Sequence, residues 1–138
     1  MAMTYSQAIK LLNSNFGKNP ELTSDSTYYI GLSSTNPGNE GNSVTEPTVG
    51  SYARVEVQNS SAFWNTATIY GVTTNSQNIV FPTSSASWGT VSYVFVANSP
   101  SLTGTAILYY EAISEITVEI NTTIQFLAGT FSISMINT

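Results

Sequence analysis

TVSYVFVAN, residues 90–98, carries apolar residues on both parities, Val91, Tyr93, Phe95 and Ala97 on one and Val94 and Val96 on the other, so a strand here has no wholly polar face to turn toward water. Such a strand belongs in the middle of a sheet covered on both sides. After the turn-forming SPSLTG, the segment GTAILYYEAI (104–113) is again apolar on both faces, and ITVEI (116–120) alternates cleanly. Upstream, TYYIGL (27–32) is a strand by its aromatic and β-branched content. YARVEV (52–57) sets Ala53, Val55 and Val57 on one face and Arg54 and Glu56 on the other. ATIYGV (67–72), NIVFP (78–82), TIQFLA (123–128) and TFSISMI (130–136) complete the set, the last with Phe131, Ile133 and Met135 inward. About seven to nine short strands separated by turn signals predict an all-β, antiparallel β-sandwich or barrel, the sandwich being the expectation carried forward.

One segment departs from period two. Tyr5, Ala8, Ile9, Leu12 and Phe16 recur at helical spacing, Thr4 with Gln7 fits a capping box, and Gly17 stands where a left-handed terminator is wanted. A single N-terminal helix over 5–16 follows, packed over one end of the sheet or clamped between subunits. Between the first two strands lies a Gly-, Pro- and Asn-rich loop at about 33–51. Loops of that length are usually functional or flexible. The expected organisation is one domain over 1–138, with the helix in 1–17 and the sandwich in 27–136.

Composition narrows the function. Of 138 residues only 8% are charged, 3 basic against 8 acidic, for a formal charge of −5. No basic patch is available to neutralise phosphates, so nucleic-acid binding is not expected. There is no Cys and no His, which removes thiol chemistry, the commonest general base and the commonest zinc ligands. Ser, Thr and Asn supply 20, 19 and 13 residues, giving a surface that is polar without being ionic. The longest apolar run is far short of the ~20 residues needed to span a bilayer, so no membrane partner is expected. The opening MAMTYSQAIK has no basic stretch followed by an apolar one, so no secretory signal is read.

Candidate chemistry is sparse. Glu111, Glu115 and Glu119 form the densest acidic cluster, but they sit where outward-facing residues are expected and no second cluster faces them. Lys10 or Lys18 as a base for a serine needs the terminal helix to line a pocket. Asn36, Asn39, Glu40 and Asn42 offer oxygen ligands at spacings that miss the calcium-loop pattern. No catalytic residue, cofactor or metal site is therefore assigned. Trp88 precedes an apolar strand and is expected to pack at its entrance. Trp64, between polar stretches, is the better candidate for an exposed ring at an interface or a ligand. Among tyrosines, Tyr28, Tyr29, Tyr52 and Tyr70 are further stacking candidates. Arg54, the only arginine, is expected to pair with Glu56 or a late acid, or to anchor a subunit contact.

The segments YYIGLSSTNPGNEGNSVTEPTVGSYARVEV, IVFPTSSASWGTVSYVFVAN, TAILYYEAI and NTTIQFLAGTFSISM, in this order, resemble a family of small virion structural proteins of tailed bacteriophages, labelled tail-fibre, head-fibre or capsid-decoration proteins. Gly31-Leu32, Pro37, Tyr52-Ala53-Arg54-Val55, Phe81-Pro82, Trp88-Gly89-Thr90-Val91 and Ala128-Gly129 carry the resemblance over nearly the whole chain. It implies a β-sandwich virion component without catalytic residues, assembled in the bacterial host cytoplasm. The expected role is a multicopy exterior protein, capsid decoration or head fibre, that self-associates and binds major capsid or tail proteins. Its candidate assembly contacts are Tyr5, Ile9, Leu12, Phe16, Arg54 and Trp64. The alternative is a tail-fibre or tail-tip module that binds host-surface polysaccharide through exposed Trp64 or tyrosine rings.

Overall fold

A computed structural model describes residues 1–17, 25–101 and 106–135. Lys18, the first two residues of GTAILYYEAI and Ile136 lie outside them. The elements are β1 (Ala2–Met3), α1 (Tyr5–Asn15), β2 (Thr27–Ser33), β3 (Val55–Gln58), β4 (Val72–Thr74), β5 (Ile79–Val80), β6 (Gly89–Ala97), β7 (Ile107–Val118), β8 (Gln125–Phe126) and β9 (Ser132–Ser134). Every pairing among them is antiparallel, and the fold is all-β and sandwich-like with one short N-terminal helix.

TVSYVFVAN forms β6, near the middle of a five-stranded sheet of order β1-β7-β6-β2-β3. Its two faces feed two cores. Val94 and Val96, with Val91 brought to the same side across the irregularity between Val91 and Tyr93, join Ile30, Leu32, Val57 and Val118 in the main core. Phe95 and Ala97 point the other way and pack with Ile107, Val44 and Tyr110. The main core is closed by two short ribbons, β5–β8 and β4–β9, whose Ile79, Phe126 and Ile133 face the sheet beside Phe81 and Phe131. Removing such side chains from water at about 25 cal/mol per Å² is what holds the layers together.

Buried polar residues tie the connections down. Asn75, fully buried, donates through Nδ2 to the carbonyls of Gln77 (2.7 Å) and Leu127 (3.0 Å) and accepts the Phe131 N–H at 2.9 Å. Ser84 accepts the Thr122 N–H at 2.9 Å. The long loop after β2 is stitched across its base, with the Ser34 N–H on the Thr45 carbonyl (2.9 Å) and the Thr45 N–H on Ser33 Oγ (3.0 Å).

Several expectations need correcting. Of ATIYGV only Val72 is strand, the first residue of β4. The Gly71 N–H bonds the Thr68 carbonyl, Gly71 takes φ +67°, and the resulting turn leaves Ile69 93% exposed. GTAILYYEAI and ITVEI are not two strands but one, because β7 keeps pairing with β6 from Ile107 to Val118 across an irregularity. TIQFLA and TFSISMI are strands only at Gln125–Phe126 and Ser132–Ser134, where β8 pairs with β5 and β9 with β4. Met135, expected inward, is 57% exposed because it lies past the end of β9. Thr4 is the helix N-cap but makes no side-chain cap. It is fully buried against β7, where its hydroxyl donates to the Ile107 carbonyl at 2.7 Å and accepts no backbone N–H of the helix.

β7 is paired on its β6 side throughout, but on the other side β1 covers only Tyr109 and Tyr110. Among the described residues its edge from Glu111 onward is unpaired.

Candidate functional site

Helical spacing of Tyr5, Ile9, Leu12 and Phe16 makes one stripe along α1. That stripe does not pack on the sheet. The four side chains are 57%, 58%, 57% and 75% exposed, and no residue of α1 is buried. The helix is held at its N-terminal end instead. The Thr4 N–H bonds the Leu108 carbonyl (3.0 Å), the Tyr5 N–H bonds the Asn39 carbonyl (2.8 Å), and Asn39 Nδ2 donates to the Tyr5 hydroxyl (3.2 Å). Asn39 Oδ1 also accepts from the Tyr110 hydroxyl at 2.7 Å, so the loop, the helix and β7 are joined at one asparagine.

Arg54 does pair with a carboxylate, but its partner is Glu46, not Glu56 or a late acid. Nε and Nη2 reach the two Glu46 oxygens at 2.9 and 2.7 Å, and Nη1 reaches the Ser99 carbonyl at 2.7 Å. Both side chains are almost wholly buried, and the guanidinium carbon lies 5.0 Å from the centre of the Phe95 ring. The Tyr52 hydroxyl donates to Glu46 Oε1 at 2.8 Å and accepts the Leu32 N–H at 2.9 Å. Burial, reinforced by the Glu46 charge, pushes the Tyr52 phenol far above its usual range. The head group of Arg54 is thus spent inside the chain, fastening the loop to the second face of the sheet.

Trp88 packs at the entrance of β6, 7% exposed, donating Nε1–H to the Gly50 carbonyl (2.7 Å) and meeting Tyr52 edge-on at 5.2 Å. Trp64 is not an exposed ring. It is half-buried, edge-on to Phe63 at 5.2 Å, and forms one wall of a cleft of about 320 Å³ with Tyr28, Asn59, Tyr109, Ile133 and Met135. The cleft opens where the main sheet and the β4–β9 ribbon diverge. Burial raises the phenol pKa of Tyr28, with Asp25 adding to it, and that of Tyr109. The Trp64 indole nitrogen is buried without an acceptor among the described residues.

The remaining candidates do not converge. Glu111, Glu115 and Glu119 are all exposed. Asn36 Oδ1 accepts the Gly38 N–H, and Asn42 donates to Glu40. Among the described residues no three acids gather to hold a metal ion. The residues missed by sequence reasoning are Glu46, Tyr109 and the buried Thr4 and Asn75. Only Glu46 carried a signal, as the acid next to Pro47 in a loop near the lone arginine.

The model of a protein family described as podophage GP4 fiber I protein gp80 matches residues 2–134. No curated protein matches the chain.

Proposed function

The chain belongs to the podophage GP4 fiber I family, and on that premise we propose that it is a non-enzymatic, multicopy fibre component of the particle exterior, joined to other virion proteins through the outer stripe of α1. The observation that carries this reading is the exposure of Tyr5, Ile9, Leu12 and Phe16 on a helix that buries none of its residues. An aligned apolar stripe gains by being covered, and repeated copies multiply a modest contact into firm attachment. The low-charge, hydroxyl-rich surface suits packing among neighbours, and the acidic balance keeps the module off DNA.

The test is Ile9→Glu with Leu12→Glu. Both side chains are exposed, so the sandwich keeps its fold, whereas deletion of 1–17 also removes β1 and the buried Thr4. Particles assembled with the double variant should lose the chain. Unchanged occupancy sinks the α1 contact. Mass spectrometry of separated heads and tails then assigns the seat: hundreds of copies on heads identify a head fibre or decoration protein, a few on tails a tail fibre. A second reading, saccharide contact, is favoured by the Trp64 cleft.

A further inference from the structure

The chain has two tryptophans in opposite situations. Trp88 is pinned by its Nε1–H on the Gly50 carbonyl. Trp64 has a buried N–H with no acceptor among the described residues, an arrangement that native interiors rarely keep. Beside it lies a cleft of about 320 Å³, at the lower end of the range for small-molecule sites. None of its lining residues carries a charge. Tyr28 stands on β2 and Tyr109 on β7, flanking the indole with two more aromatic walls. The two phenol hydroxyls are only weakly engaged: Asn59 Nδ2, which is held by the Asp25 carbonyl at 2.9 Å, reaches the Tyr28 hydroxyl, and Gln7 Nε2 the Tyr109 hydroxyl, both at 3.5 Å.

These features specify an occupant. An uncharged lining selects against ions. Aromatic walls favour a flat C–H face. An orphan donor calls for an acceptor oxygen, and two long hydrogen bonds leave phenol groups free to exchange partners. We propose that the cleft binds a neutral pyranose unit of a saccharide, with its C–H face against Trp64, Tyr28 and Tyr109 and one oxygen accepting from Trp64 Nε1–H. That nitrogen is buried, so binding includes a small swing of the indole, which has no hydrogen bond at its nitrogen to resist it. This site rests on the second reading above and does not use the outer stripe of α1, so failure of particle attachment leaves it standing.

The test uses the full chain labelled with ¹⁵N, whose two indole N–H resonances are assigned with Trp64→Phe. Glucose, rhamnose and N-acetylglucosamine are titrated in turn at millimolar concentrations. The expected result is a downfield shift of the Trp64 resonance with at least one of them while Trp88 stays in place. Tyr109→Ala should weaken that response roughly tenfold with the Trp88 resonance native, which separates a lost wall from a lost fold. No displacement of Trp64 by any of the three overturns the proposal. So does an equal displacement by cyclohexane, which has no acceptor, or by raising the concentration of the chain alone, which would make a second copy the occupant.

Discussion

Gly31 of β2 lies directly across from Phe95 of β6, and a Cβ built on Gly31 would stand 2.2 Å from Cζ of the Phe95 ring. The tip of the ring, Cζ with both Cε atoms, lies over the glycine, the Arg54 guanidinium carbon lies 5.0 Å from the ring centre, and the residue is wholly buried, so the ring has little room to give. Gly31→Ala is therefore expected to destabilise the fold by about 3 kcal/mol, the upper range for overpacking. Phe95→Leu in the same chain should recover part of that loss. Urea unfolding of the two single variants and the double variant measures the coupling, and additive effects would contradict the contact.

Glu46 and Arg54 are buried as a two-pronged pair, and removing one leaves the other charged in an apolar setting. Glu46→Gln or Arg54→Met should each cost about 3–5 kcal/mol. Arg54→Lys should fail to restore stability, because an ammonium does not reach both carboxylate oxygens and the Ser99 carbonyl together. Glu46→Leu combined with Arg54→Met should be milder than either single change, read from denaturation midpoints.

Tyr28, Tyr52 and Tyr109 all have phenol pKa values raised above 10.0 by burial. The folded chain holds these protons longer than the unfolded chain does. Their contribution is complete below pH 10.0 and declines as pH rises past the unfolded value toward the folded one. Stability should thus fall steeply above about pH 10. Tyr52→Phe, although less stable at neutral pH for loss of its bonds to Glu46 and Leu32, should show a shallower alkaline decline. Thermal unfolding from pH 8 to 11 gives both slopes.

Asn75 serves one donor and two carbonyls from a site with no access to water. Asn75→Ala leaves the Phe131 N–H and two carbonyls to find new partners, at about 2–3 kcal/mol. Hydrogen exchange at Phe131 should accelerate well beyond that of β6 amides. Parallel acceleration throughout would mean global loosening and contradict a local anchor.

Period two and period 3.6 are local signals, and where one face is buried they survive into the structure. TVSYVFVAN is buried on both parities as its residues require, and the helix read at 5–16 spans Tyr5–Asn15. What was hidden depended on distant chain. ATIYGV has strand composition, yet the left-handed Gly71 turns it into an exposed tip. The apolar stripe of α1 was legible, but its direction was not, since that follows from hydrogen bonds at Thr4, Tyr5 and Asn39. Neither the Glu46–Arg54 pairing nor the Trp64 cleft has a spacing to betray it. Each is made by loops crossing a sheet.

The half-open edge of β7 bears on how such a chain stays apart from its own copies when concentrated. A bare strand edge invites the backbone of any neighbouring copy. Glu111 and Glu115 lie along that edge. Zipping two copies together there, strand against strand in opposite directions, would gather four carboxylates in one short ribbon. A chain with only 8% charged residues has placed two of its 8 acids where they discourage fibrils of the wrong kind. Exchanging both for threonine should leave the chain folded, by circular dichroism, and make its concentrated solutions gel.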